Sequence, residues 1–170
     1  MNRLTSAVMT GVVVDTLEKM AFLFALPGEE GTPERVVADP LETAEVSFCG
    51  PCSGRMQFGL SASVMTELAA NMLGSEDSAD VSIEKQRDAL RELANVICGN
   101  LLPAIGGREA EYSIGTPRIV GAARATLGSA AVESRLTVEG GVCRVAIELA
   151  ECPPGGPDVG WAQSGKGRMG

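Results

Sequence analysis

The sequence predicts an α+β domain: a largely antiparallel β-sheet with helices packed on a face. Three observations carry this. Two pairs of segments, 42–49 with 55–62 and 131–138 with 142–149, alternate apolar and polar residues and are joined by short Gly-containing turns. Residues 82–103 repeat apolar side chains at helical spacing. The order of elements is α, ββ, αα, then three or four strands, without the βαβ alternation of a parallel sheet.

Taken in chain order, residues 3–26 read as one helix. Leu4, Ala7, Val8, Gly11, Val12, Leu17, Met20, Ala21 and Phe24 cover most of its circumference, and Asp15, Glu18 and Lys19 form a narrow polar stripe. Such a helix is largely buried. Pro27-Gly28 ends it, and 27–40 is a polar loop. In the first hairpin Ala44, Val46 and Phe48 share a face with Met56, Phe58 and Leu60, across a turn containing Gly50-Pro51. Residues 63–73 form a short helix closed by Gly74, and Asp80 or Ser82 caps the next one. In that long helix Ile83, Leu90, Leu93, Ala94, Ile97 and Leu101 recur, and Pro103 with Gly106-Gly107 ends it. One or two strands lie around Ile114 and Ile119-Val120. In the last hairpin Val132, Leu136 and Val138 are set facing Val142, Val145 and Ile147. Residues 1–150 form the domain, and the Pro/Gly-rich residues 151–170 read as a flexible tail.

Composition removes several functions. The net charge is −8, a poor match for nucleic acid or an anionic membrane. There is no histidine, so neither a histidine-based nucleophile system nor a histidine-ligated metal can form. Five cysteines, an odd number, suit a reducing compartment, and the N-terminal apolar runs fall short of the roughly 20 residues that span a bilayer. These features read as a cytoplasmic protein.

Two constellations remain. Cys49-Gly50-Pro51-Cys52 matches a redox motif as a string, and it carries a thiol-disulfide alternative. Redox activation needs the first thiol at a helix N-terminus, whereas Ser53–Leu60 alternates as a strand. A zinc site lacks a second Cys-x-x-Cys. The other constellation is Glu92-Leu93-Ala94-Asn95. At 100° per residue, Asp88, Glu92, Asn95 and Gly99 fall opposite the apolar face, so Glu92 and Asn95 are outward neighbours. Periodicity alone reads them as a solvated surface. Gly99 removes side-chain bulk one turn beyond Asn95.

The run Asp88–Asn100 resembles the signature helix of the CheC/CheX/FliY phosphatases of bacterial chemotaxis, which carry E-x-x-N followed by Gly. Val14–Phe22 and Gly59–Ser63 running into Leu68–Gly74 are similar to CheX-type members in the same order, and the resemblance spans residues 1–150. It implies a phosphatase that hydrolyses the aspartyl-phosphate of a response-regulator receiver domain. Asn95 would orient the attacking water, and Glu92 would pair with the receiver's active-site lysine. The chain would need no cofactor of its own, with Mg²⁺ supplied by the receiver. CheC-type members carry a second E-x-x-N on the first helix. Here that window is Glu18-Lys19-Met20-Ala21, and Ala21 has no amide, so one site is expected. The resemblance also implies a homodimer. The alternative is a receiver-binding module of the same fold without catalysis.

Overall fold

The computed structural model describes residues 4–28, 40–76, 81–121, 125, 127–128 and 131–150. The tail 151–170 and most of the first loop lie outside the described residues. Helix α1 (Ser6–Thr16) runs into a π-helical turn (Leu17–Ala21), and a short strand β1 (Ala25–Pro27) follows. Next come β2 (Leu41–Cys49), β3 (Ser53–Ser61), α2 (Ala62–Leu73), α3 (Ile83–Gly106), β4 (Ser113–Ile114), β5 (Arg118–Val120), β6 (Val132–Val138) and β7 (Gly141–Ala150). All strand pairs are antiparallel, in the order β1-β6-β7-β3-β2-β4, with β5 also on β2. The predicted class is therefore the observed one.

Registry separates the two faces of the sheet. Ala44, Val46 and Phe48 stand opposite Phe58, Met56 and Gly54, and across β3 from Val145, Ile147 and Leu149. This face carries the helices: α1 packs over β6, α2 against β3 and α3 against β2. Apart from Leu149, which is exposed near the end of β7, its apolar side chains join those of the helices in one buried core. The other face is polar. Gln57 Nε2 and Arg118 each donate to Glu45, both at 2.9 Å, and Arg55 bridges Glu45 and Glu148 at 3.7 and 3.0 Å. Further along, Arg144 and Arg135 pair with Glu133 at 2.9 and 3.0 Å. The connection from β5 to β6 meets this face at two described points. Arg144 donates to the Ala125 carbonyl, and the Gly128 N–H donates to Glu148.

Three expectations are corrected. The first helix does not reach residue 26. It ends in the π-turn, where the Phe22 N–H reaches the Leu17 carbonyl, and Phe22 itself takes a left-handed conformation (φ 53°). The chain then extends, with Leu23 and Ala25 buried and Phe22, Phe24 and Leu26 outward. This period-two pattern was masked by a run that is apolar at nearly every position. Pro103 does not end α3, which continues to Gly106, because α3 is held by its buried face beyond that point. In the second hairpin Val142 pairs with Thr137 on the polar face, and Cys143 takes the inward place opposite Leu136. The two-residue turn Glu139-Gly140, both at positive φ, sets that register.

The polar face makes the fold acid-sensitive. Burial opposes ionisation of Glu45, but hydrogen bonds from Gln57 and Arg118 and the charges of Arg118 and Arg55 outweigh it and hold the carboxyl below its usual range. Hydrogen bonding from Arg144 does the same for Glu133, against its own burial. A carboxyl that titrates lower in the folded state stabilises it fully above the unfolded value. That stabilisation is lost as pH falls through the folded value. Urea melts from pH 7 to pH 3 are expected to show this loss. The variant E45Q/E133Q should be about 1–3 kcal/mol less stable at pH 7 and should lose less on acidification.

Candidate functional site

Helix α3 starts where Ser82 accepts a hydrogen bond from the Lys85 N–H, as its capping position requires. Ala89, Leu90, Leu93, Ala94, Ile97, Cys98, Leu101, Leu102 and Ile105 are buried along one side. That burial fixes the rotation of the helix, so the remaining arc is turned to solvent. Asp88, Glu92 and Asn95 are exposed on that arc, and Gly99 is half-buried. The structure thus brings together the two residues singled out from the sequence, on a rigid element. Neither the Glu92 nor the Asn95 side chain makes a hydrogen bond or ion pair among the described residues.

The arc is bounded on both sides. On one side the Asn100 amide donates to Thr16 Oγ1 at 3.1 Å, and Thr16 donates in turn to the Val12 carbonyl, tying α3 to α1. On the other side Ile114 of β4 lies beside Gly99, where an added methyl would meet its Cδ1 at 3.7 Å. That is ordinary contact, so the fold itself does not demand glycine at 99. Pro103, one turn on, has no N–H to offer the Gly99 carbonyl. Arg91 flanks the arc one turn before Asn95 and is ion-paired with Asp88.

The corresponding stretch of the first helix is built differently. Glu18 is exposed, but Ala21 is fully buried at the end of the π-turn, and its carbonyl accepts from the Asn71 amide of α2 at 2.9 Å. That position faces the core and cannot present a side chain to a partner.

Tyr112 was not singled out from the sequence, yet it anchors the hairpin tip. Its ring meets Phe48 edge-on at 6.0 Å, its hydroxyl lies 3.4 Å from Cys52 Sγ, and it crowds Gly50 and Gly106. A lone aromatic near two glycines is the only trace of this in the sequence. A cleft of about 530 Å³ lies beside it, lined by Cys49, Gly50, Glu111, Tyr112 and Ser113. Glu92 and Asn95 do not line it: their surface is an open helix face.

The Cys49-x-x-Cys52 pair sits at this tip. Cys49 ends β2 and pairs with Ser53, on the face opposite Phe48. Cys52 is buried against Tyr112, on the helix side. No helix begins between them. Among the described residues no three Cys, Asp or Glu side chains are grouped to hold a metal. Burial pushes the Cys98 thiol up to about 12 and the Cys143 thiol higher. Alkylation of the native protein at pH 8, followed by peptide mapping, is expected to modify half-buried Cys49 before Cys98 and Cys143, which should react only after unfolding. Equal labelling of all would contradict this arrangement. Serine at 49 should leave the melting temperature within a few degrees of the parent.

Among the described residues no helix is long and apolar enough to cross a membrane. No curated protein matches the chain. Solved structures do. A chemotaxis protein CheX from Vibrio vulnificus is 17% identical, with TM-score 0.65, over 84% of this chain and 93% of its own. A CheC-like superfamily protein from a Shewanella species is 18% identical, with TM-score 0.64, over 84% and 95%. The CheX of a Borrelia burgdorferi complex with CheY, BeF3 and Mg²⁺ is 17% identical, with TM-score 0.60, over 84% and 96%. At these identities the structures show the shared fold. The family model described as chemotaxis phosphatase CheX matches residues 43–139, which run from within β2 through β6 and hold β3, α2, α3 and the Glu92/Asn95 arc. This chain belongs to the CheX family.

Proposed function

We propose that the protein hydrolyses the aspartyl-phosphate of a response-regulator receiver domain, with Asn95 and Glu92 carrying the activity. The observation that supports this most directly is the pair of unpartnered polar side chains on the exposed arc of a helix otherwise fixed by burial. The complex of a related CheX with CheY supports a receiver as the kind of partner. A flat helix face suits a macromolecular substrate better than a small molecule, which calls for a concave pocket.

The reaction needs little from this chain. A water oxygen attacks phosphorus in line, the bond from phosphorus to the receiver's aspartyl oxygen breaks, and the carboxylate leaves as inorganic phosphate forms. The water's proton passes to the phosphate. Mg²⁺ is brought by the receiver. The Asn95 amide holds the water through hydrogen bonds and takes no proton, the role that a positioned amide plays in GTP hydrolysis. The Glu92 carboxylate, exposed and one turn earlier, pairs with the receiver's active-site lysine and sets the register.

Dephosphorylation of candidate receivers tests this. Asn95→Ala is expected to lower kcat by about 10²–10³ with KM nearly unchanged. Asn95→Asp, which sets a carboxylate beside an anionic phosphoryl group, should be at least as damaging. Glu92→Ala should raise KM as well. Because both side chains are exposed and unpartnered, each alanine should change stability by no more than about 0.5 kcal/mol. Wild-type rates in Asn95→Ala would sink the assignment. Receiver binding without any hydrolysis would favour the non-catalytic module.

The same reading includes a homodimer. Among the described strands β1 pairs only with β6, which leaves its outer edge open, and Phe24 and Leu26 there are 67% and 69% exposed. Light scattering at micromolar concentration is expected to give a dimer, and F24E/L26E a monomer. A wild-type monomer would remove this part of the reading.

A further inference from the structure

We propose that Arg91 is the cation with which this site meets the phosphoryl group of its substrate; this rests on the phosphatase reading above. The chain is acidic, with a net charge of −8. Its exposed arc carries two carboxylates, Glu92 one turn and Asp88 two turns before Asn95. An incoming phosphoryl group is anionic, and like charges at close range repel it. Glu92 is matched by the receiver's lysine in the reading above, which leaves Asp88 to be offset. Arg91 is the one Lys or Arg between residues 88 and 99.

Position favours it. Arg91 precedes Asn95 by four residues, so the two side chains stand on neighbouring turns of the same side. Side chains on a helix lean toward its N-terminus, so the Asn95 amide reaches over the turn that bears Arg91, while the long Arg91 side chain itself lies toward Asp88 and swings back to meet a group held at Asn95. The guanidinium is held by Asp88, and the two side chains are 32% and 67% exposed. A pair this open to water is weak and exchanges partners at small cost. A phosphoryl group offers the guanidinium two oxygens in matching geometry and more charge than Asp88 does. Asp88 therefore stores the guanidinium beside the site in the free protein and releases it when the phosphoryl group arrives. The neighbouring Arg87 is turned the other way, toward Glu42 of β2 at 3.6 Å, and is not available for this role.

The two members of the pair are expected to act with opposite sign. Arg91→Ala, which removes the cation and leaves Asp88 unpaired on the same arc, should lower kcat/KM by on the order of tenfold or more. Arg91→Lys, a point charge without the fork, should recover part of that loss. Asp88→Asn, which frees Arg91 and removes an anion, should raise kcat/KM about two- to threefold. The second readout is binding to a receiver with and without beryllofluoride, a phosphoryl mimic. The preference for the loaded form should shrink in Arg91→Ala and persist in Asn95→Ala. A merely structural pair would lower the melting temperature in both Arg91→Ala and Asp88→Asn and leave the preference intact. Unchanged preference and rate in Arg91→Ala, with Asn95→Ala inactive, overturns the role of Arg91 and leaves the function standing. A wild-type protein that neither hydrolyses nor prefers the loaded receiver overturns both.

Discussion

The complete burial of one side of α3 is the constraint on which the rest of the molecule depends. Leu90, Leu93, Ala94, Ile97, Cys98 and Leu101 are each removed from water, and they pack between α1, α2 and β2. Burying each of the leucines and the isoleucine contributes about 1.5–3 kcal/mol. A helix anchored at every turn cannot rotate without exposing several such groups. The outward arc is therefore defined by the inward one. Nothing on the arc needs to stabilise the fold, so its side chains are free to serve a partner. That is the division of labour expected where a rigid element carries a binding surface.

The sheet shows a second division. Its helix side is apolar and continuous with the core, whereas its other side is a ladder of arginines and glutamates. The exposed members of that ladder contribute little individually. Glu45 differs, because its side chain is only 7% exposed and is held by Arg118, Arg55 and Gln57 together. Removing one partner there leaves a desolvated charge, so the ladder resists piecemeal change more than its surface position suggests.

How much of this was legible in the sequence depended on how sharply periodicity distinguished alternatives. The first hairpin and α3 were legible because their patterns fit only one period. So was the outward placement of Glu92 and Asn95, which follows from α3's apolar stripe. The facing of the second hairpin was not legible, since Val142 and Val145 cannot share a face of one strand. The segment Leu17–Leu26 was not, since nearly every residue is apolar and a buried helix and a half-buried strand look alike. Tyr112 was missed because its partners, Phe48, Cys52 and Gly106, are far from it or unremarkable in sequence. Arg91 was in plain view four residues before Asn95, but only the structure shows its partner and its exposure.

The position of β7 bears on how the chain is made. It is the last of the described strands, yet it lies in the middle of the sheet, between β6 and β3. Until residues 141–150 have been synthesised, β3 keeps one long edge unpaired, from Ser53 to Leu60. That edge includes Met56, Phe58 and Leu60, whose side chains belong in the core. Pairings so distant along the chain form slowly, and an open apolar edge is a template for joining other chains. A nascent chain on the ribosome thus carries this aggregation hazard from the synthesis of β3 until β7 is made and closes it.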